Sequence, residues 1–261
     1  MDNLVKYSNK MHKIFFKNFT QKDSNFFMAI CSKMKNNVDS IVEFSFEELK
    51  EISNYKKNTT REEFVNALTE MNKKLNEING HFETDEEIVT FNLFSTFRIL
   101  KSKDILKVRV NPDFKDFLVE FSKGFTVYEL KEFVNLESIY SKALFRYLKQ
   151  WRTQGKTPLY TVDEIRKMLD TPDYEPKFIK KFVLEPAVQE IQQKGYFKNL
   201  TLEIEKEKKR GAPVKGYYFT FEPEQSEKEP KKKGRPKKNA FNNFEQNDYD
   251  FDELEKTLLS N

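Results

Sequence analysis

Lys177, Lys180 and Lys181 recur at i, i+3 and i+4, which places three ammonium groups on one face of a helix. Downstream, Lys206, Lys208, Lys209, Arg210 and Lys215 crowd a stretch broken by Gly211 and Pro213. Cations clustered on a helix and on a neighbouring loop suit phosphate neutralisation, each contact releasing a counterion. Bond-making chemistry has no comparable constellation. Gly155-Lys156-Thr157 looks like the end of a phosphate loop, but Gln150 stands where the first glycine belongs and the segment follows a helix, not a strand. The two histidines, His12 and His81, are far apart in sequence, so neither a His-apolar-His metal pair beside a tyrosine nor a Ser/His or Cys/His apparatus can be argued from them. Cys31 is the single cysteine, which rules out an internal disulfide and a cysteine-based zinc site. The carboxylates sit on helix starts and polar faces without metal-pair spacing. A protein that is not an enzyme and needs no cofactor is expected.

The 261 residues leave room for two compact units of ~100–150 residues each. Hydrophobic residues make up 38% and include 26 phenylalanines, enough to pack cores and to exclude wholesale disorder. No apolar run reaches ~18 residues and Met1 to Lys10 lack an apolar signal segment, so a cytoplasmic chain without a membrane partner is expected. The formal net charge of +4, from 46 basic and 42 acidic residues, announces no partner. That sum hides a cancellation. Lys228 to Lys238 hold seven bases against one acid, and Glu245 to Glu255 hold six acids and no base.

The elements that must carry the cationic helix come in two similar sets. Ser45-Phe-Glu-Glu-Leu-Lys-Glu-Ile-Ser53 matches Thr161-Val-Asp-Glu-Ile-Arg-Lys-Met-Leu169 in chemical type. Each opens on a hydroxyl that can cap a helix, with acids in the first turn. Before them, Phe26, Phe27, Ile30, Cys31 and Met34 match a helical rhythm of Ile139, Tyr140, Ala143, Leu144, Tyr147, Leu148 and Trp151. After them come longer periodic stretches, Phe64 to Ile78 and Phe178 to Ile191. In the second of these Phe178, Phe182 and Ile191 are expected to form the apolar stripe opposite the lysines, and Pro186 to kink or divide the helix. Each half then closes in alternating segments: Ile88–Phe94 is expected to pair with Ile105–Val110, and Leu200–Ile204 with Tyr217–Phe221. Helix, short helix, long helix and hairpin, twice over, predicts an α+β fold of two tandem winged helix-turn-helix domains with a flexible C-terminal tail.

In such a domain the helix after the turn enters the major groove and the hairpin wing grips the backbone. The second half has the basic helix and wing. The corresponding first-half helix carries Glu62, Glu63, Glu70 and Glu77 against Arg61, Lys73 and Lys74, so it suits weaker contacts or subunit pairing. Expected boundaries are therefore 1–122 for an auxiliary or dimerising winged helix, 123–223 for the principal DNA reader and 224–261 for the tail. Within the tail, Lys233, Gly234, Arg235, Pro236 and Lys237 form an AT-hook-like core that fits either the narrow A·T minor groove or a plain electrostatic tether. Phe251, Leu254 and Leu258 mark an acidic amphipathic end suited to docking a partner or to folding back on the basic block.

The stretch from Ser138 to Lys156 (Ser-Ile-Tyr-Ser-Lys-Ala-Leu-Phe-Arg-Tyr-Leu-Lys-Gln-Trp-Arg-Thr-Gln-Gly-Lys) resembles the helix and loop that open the second domain in initiator proteins of theta-replicating plasmids. Met28 to Lys35 and Glu185-Pro-Ala-Val-Gln-Glu-Ile191 are similar to the same family, and the likeness runs over roughly residues 1–222. The resemblance implies binding to direct repeats (iterons) in double-stranded plasmid origin DNA and opening of an AT-rich region. It also implies recruitment of a host initiator, helicase or helicase loader, and exchange between monomers and dimers of the chain itself. It makes the helix from Lys177 the reader and puts Arg152 and Lys156 near the backbone; Arg166 of the short helix is a further DNA-binding candidate. A winged-helix transcriptional regulator and a primosomal or helicase-loading adaptor are the alternatives.

Overall fold

Ser45 and Thr161, the two hydroxyls that lead the repeated segments, cap helices as their surroundings dictate. The computed structural model describes residues 4–14, 16–83, 88–119 and 124–224. In it Ser45 Oγ accepts the Glu48 N–H at 3.1 Å and opens α2 (Phe46–Ile52). Thr161 Oγ1 accepts the Glu164 N–H at 3.2 Å while the Glu164 carboxylate accepts the Thr161 N–H at 2.7 Å, a reciprocal box that opens α7 (Val162–Leu169).

Around these two short helices the same winged helix is built twice. The first comprises α1 (Gln21–Met34), β2 (Val42–Ser45), α2, α3 (Arg61–Glu77), β5 (Phe94–Leu100) and β6 (Ile105–Val110), with sheet order β2-β6-β5. The second comprises α6 (Ile139–Gln150), β8 (Tyr160–Thr161), α7, a long helix over 176–193, β9 (Thr201–Lys206) and β10 (Val214–Thr220), with order β8-β10-β9. In both, the strand ahead of the short helix pairs with the second strand of the wing. Gly216 makes the second crossing possible, because a Cβ there would collide with the Tyr160 carbonyl oxygen. The expected α+β tandem winged-helix fold is present, and the second wing pairs as expected, with Ile204 opposite Tyr217.

The first wing departs from the expectation. Of the segment 88–94, only Phe94 meets the strand 105–110, and Ile88–Asn92 pairs elsewhere. There β4 (Ile88–Asn92) turns back on β3 (Asn79–Glu83), and β5 pairs with β6, Phe94 facing Val110. Closing β5 onto β6 needs only residues 101–104, with Asp104 in the left-handed region at φ 53°. A ladder from 88–94 would strand residues 95–104 as a loop, so the shorter closure wins.

The chain start ties the two halves together. β1 (Leu4–Ser8) pairs antiparallel with β7 (Phe125–Glu129), so Tyr7 faces Thr126. Between the first wing and this joint lies α4 (Pro112–Val119), and α5 (Leu130–Val134) leads from β7 towards α6. Met1–Glu224 group as one compact unit, and the boundary expected at 122/123 falls outside the described residues. The joint is lined by polar groups. His12 Nε2 lies 2.9 Å from Thr126 Oγ1, which donates to Asn9 Oδ1 at 2.8 Å. Burial, with Arg146 nearby, holds His12 well below the usual histidine range, so it stays neutral in the core. Arg146, 6% exposed, donates from Nε to the Tyr7 hydroxyl at 3.3 Å and lies 4.8 Å over the Phe16 ring.

Lys142 is buried more deeply, at 1% exposure, with its Nζ donating to the Phe133 carbonyl at 2.6 Å. Desolvation pulls its pKa down to about 7, partly opposed by Glu190. In the unfolded chain the ammonium keeps its proton to about 10.4. The unfolded state therefore binds more protons between those values, and stability rises as pH climbs from about 7 to about 10. In Lys142→Met that rise is expected to disappear. Urea unfolding at pH 6.5 and 9.5 checks it: the advantage of the methionine variant over wild type should be largest at the lower pH, and an equal difference at both would refute the buried-ammonium account.

Candidate nucleic-acid interface

The helix after the turn starts at Pro176, where the missing N–H has no intrahelical partner to lose. Three segments run on without a break: α8 (Pro176–Ile179), a π-helical turn (Lys180–Leu184) and α9 (Glu185–Gln193). As expected, one segment ends and another starts at Pro186, which lies in the first turn of α9, although the chain stays helical throughout. A proline ring clashes with the carbonyl four residues back, here that of Phe182, and the wider π turn just ahead relieves it.

Two contacts set this helix in place. Tyr217 Oη, on β10, donates to the Pro176 carbonyl at 2.7 Å and fixes the helix start against the wing. Arg166, on α7, ties down the turn itself. Its guanidinium meets Asp163 at 2.7 Å, Asp173 at 3.2 Å and the Tyr174 carbonyl at 2.7 Å, while Asp170 ends α7 in the left-handed region. Arg166, a DNA-contact candidate from the sequence, here bridges the two ends of the turn.

The buried stripe of the helix is Ile179, Val183, Leu184, Ala187, Val188 and Ile191. Phe178 and Phe182 do not join it, against expectation. They lie one residue away from Ile179 and Val183, about 100° around the helix, and the aliphatic pair takes the core position. Phe178 is 38% and Phe182 54% exposed, their rings stacked 5.8 Å apart at 19°. The lysines therefore share a face with aromatic rings: Lys177 Nζ sits 4.7 Å from the Phe178 centroid and Lys181 Nζ 5.4 Å from that of Phe182. The sequence carried a signal for this, since apolar residues at both 178/179 and 182/183 make a stripe too wide to bury. Lys177 pairs with Glu175 at 2.8 Å and Lys180 with Glu185 at 3.3 Å, solvent-exposed pairs worth little and readily exchanged for phosphate.

The wing carries the other cations. Lys215 pairs with Glu205 at 2.6 Å across the ladder and Lys209 with Glu207 at 2.9 Å. Lys206, Lys208 and Arg210 have no acid within ion-pair distance among the described residues, and the tip turns through Gly211 at φ 84°. Lys156 is exposed on the same sheet, its Nζ 4.5 Å from the Tyr218 ring centroid and its backbone bridged to Thr220. Gly155, at φ 70°, lets this segment press against the wing: a Cβ would lie 2.8 Å from the Phe221 carbonyl oxygen. The Gly-Lys-Thr run is a staple to β10. Arg152 is mostly buried, with Glu224 3.4 Å away and the Phe125 ring below it at 5.7 Å.

In the first half every cation on α3 is engaged: Arg61 with Asp104 at 2.7 Å, Lys73 with Glu70 at 2.7 Å and Lys74 with the buried Asp23 at 2.6 Å. The tail residues Lys233, Gly234, Arg235, Pro236 and Lys237, and Phe251, Leu254 and Leu258, lie outside the described residues.

Comparison with known proteins converges on this architecture. The family model described as initiator replication protein, WH1, matches residues 4–149, and that described as initiator Rep protein, WH2, matches 161–221. The chain belongs to the initiator replication protein family. A probable replication protein of Bifidobacterium longum (strain NCC 2705) is 31% identical over 221 residues, which covers 84% of this initiator and 72% of that protein. In fold, the initiator is similar to the Pi initiator protein, solved as a crystal structure in complex with iteron DNA. That likeness has a TM-score of 0.64 at 16% identity, over 86% of this chain and 98% of the other.

The clamp predicts how this initiator responds to one substitution. Arg166→Ala is expected to cost about 1–3 kcal/mol of stability through the lost charge-assisted hydrogen bonds, and to weaken DNA binding without changing its salt dependence. A direct phosphate contact would instead lower the slope of log K against log salt by about 1. Thermal unfolding and binding titrations at several salt concentrations separate the two.

Proposed function

We propose that this initiator binds direct repeats at its plasmid origin with the helix over 176–193 in the major groove and the wing on the backbone. One contrast carries the reading. The second half offers Lys177, Lys180 and Lys181 on the exposed side of the helix after the turn and acid-free cations on its wing, whereas the equivalent helix of the first half sets Glu62, Glu63, Glu70 and Glu77 against three cations, one of them held by the buried Asp23. Likeness in fold to an initiator solved in complex with iteron DNA supports repeat DNA as the partner. The first winged helix then serves auxiliary DNA contacts or pairing with a second copy. Once bound, the protein promotes opening of an adjacent AT-rich region and recruits the host initiator, helicase or loader.

The test is whether a fragment carrying this gene and its flanking DNA replicates in a host, and whether the purified protein footprints repeats within it. Binding to those repeats without any replication would favour a transcriptional regulator. Lys177, Lys180 and Lys181 replaced together by alanine are expected to abolish repeat-specific binding and origin function; unchanged affinity would show that another helix reads the DNA. Truncation after Glu224, which keeps the Glu224 contacts to Lys149 and Arg152, is expected to leave repeat binding intact and impair plasmid maintenance.

A further inference from the structure

Phe178 and Phe182 are among the few large apolar side chains the described residues leave exposed, and both stand on the helix that carries Lys177 and Lys181. They are one turn apart and stacked, so they act as a single apolar plate about 6 Å long. Among the described residues the plate stays open to solvent, at 38% for Phe178 and 54% for Phe182. The chemistry of its surroundings says what covers it. Ammonium groups lie over the rings, and the first turns of the helix in this position are those that meet base edges.

We propose that Phe178 and Phe182 read the C5-methyl groups of thymine in the major groove, a reading that rests on the binding of repeats proposed above. In the major groove thymine sets a methyl beside its O4 acceptor, whereas the other bases present donors or acceptors without such an apolar group. A phenyl ring has neither donor nor acceptor. Pressed against guanine, adenine or cytosine it strands polar groups without partners, and pressed against thymine it buries a methyl. The pair therefore selects thymine and rejects the other bases at positions within about two base steps, since steps rise ~3.4 Å along a strand. Lys177 and Lys181, held over the rings, extend past them to the flanking phosphates. Phe178 and Phe182 set specificity, and the lysines add affinity that is indifferent to sequence.

Deoxyuridine lacks only the methyl, so it isolates this contact. The probe is a duplex of the repeats footprinted on the protein's own origin, with thymines replaced by deoxyuridine one position at a time on each strand. For full-length wild-type protein, one or two positions are expected to lose about fourfold in affinity per methyl removed. Phe178→Ala with Phe182→Ala is expected to bind more weakly and to lose the response at those same positions, while its melting temperature stays near wild type because both rings are exposed. Wild-type protein that binds the repeats but ignores deoxyuridine everywhere overturns the proposal. So does a double variant that keeps the wild-type response, or one whose sole defect is lost self-association. Wild-type protein that does not distinguish the repeats from scrambled DNA overturns the repeat-binding reading, and this one with it.

Discussion

The Tyr217 hydroxyl donates to the Pro176 carbonyl and so joins the wing to the first residue of the helix beside it. A duplex presents groove and backbone at a fixed spacing, so a helix and a wing are useful together only when their relation is rigid. Three further contacts protect that relation. Arg166 holds the connecting turn, Gly216 lets β8 cross β10 closely, and the π turn over Lys180–Leu184 lets the helix pass Pro186 unbroken. Each concerns backbone placement.

Charge is distributed by a complementary rule. Where cations are needed for shape, acids or carbonyls stand beside them, as Arg152 beside Glu224, Lys74 beside Asp23 and Lys142 on the Phe133 carbonyl. Where cations are left on the surface without such partners, as on the wing at Lys206, Lys208 and Arg210, they are available to a polyanion. The two winged helices share a topology and differ in this allocation. A duplicated fold can thus carry two surfaces of different charge without any change of architecture.

The joint between the halves draws on different physics. Arg146 is buried against Tyr7 and Phe16, and His12 remains neutral within a chain of hydrogen bonds through Thr126 to Asn9. Buried cations of this kind are tolerated because aromatic faces and hydroxyls replace part of the lost hydration. They make the joint sensitive to repacking, since removal of one partner leaves the others unsatisfied.

Local signals determined a great deal by themselves. Hydroxyls followed by acids announced α2 and α7, periodic apolar residues announced the longer helices, and their recurrence announced the duplication, because caps and amphipathic faces depend on neighbours in sequence. The basic helix and wing were legible for the same reason. Only the tertiary structure decided how those signals were used. Phe178 and Phe182 satisfied the apolar count yet lost the core to Ile179 and Val183, and Ile88–Asn92 lost its expected partner to a shorter closure. Arg152, read from sequence as lying near the backbone of DNA, has Glu224 brought beside it by the fold. Glu224 lies far from Arg152 in the chain, and which β-strand closes on which depends on loop entropy; neither is encoded in the spacing of residues, since both arise only when distant segments compete for the same space.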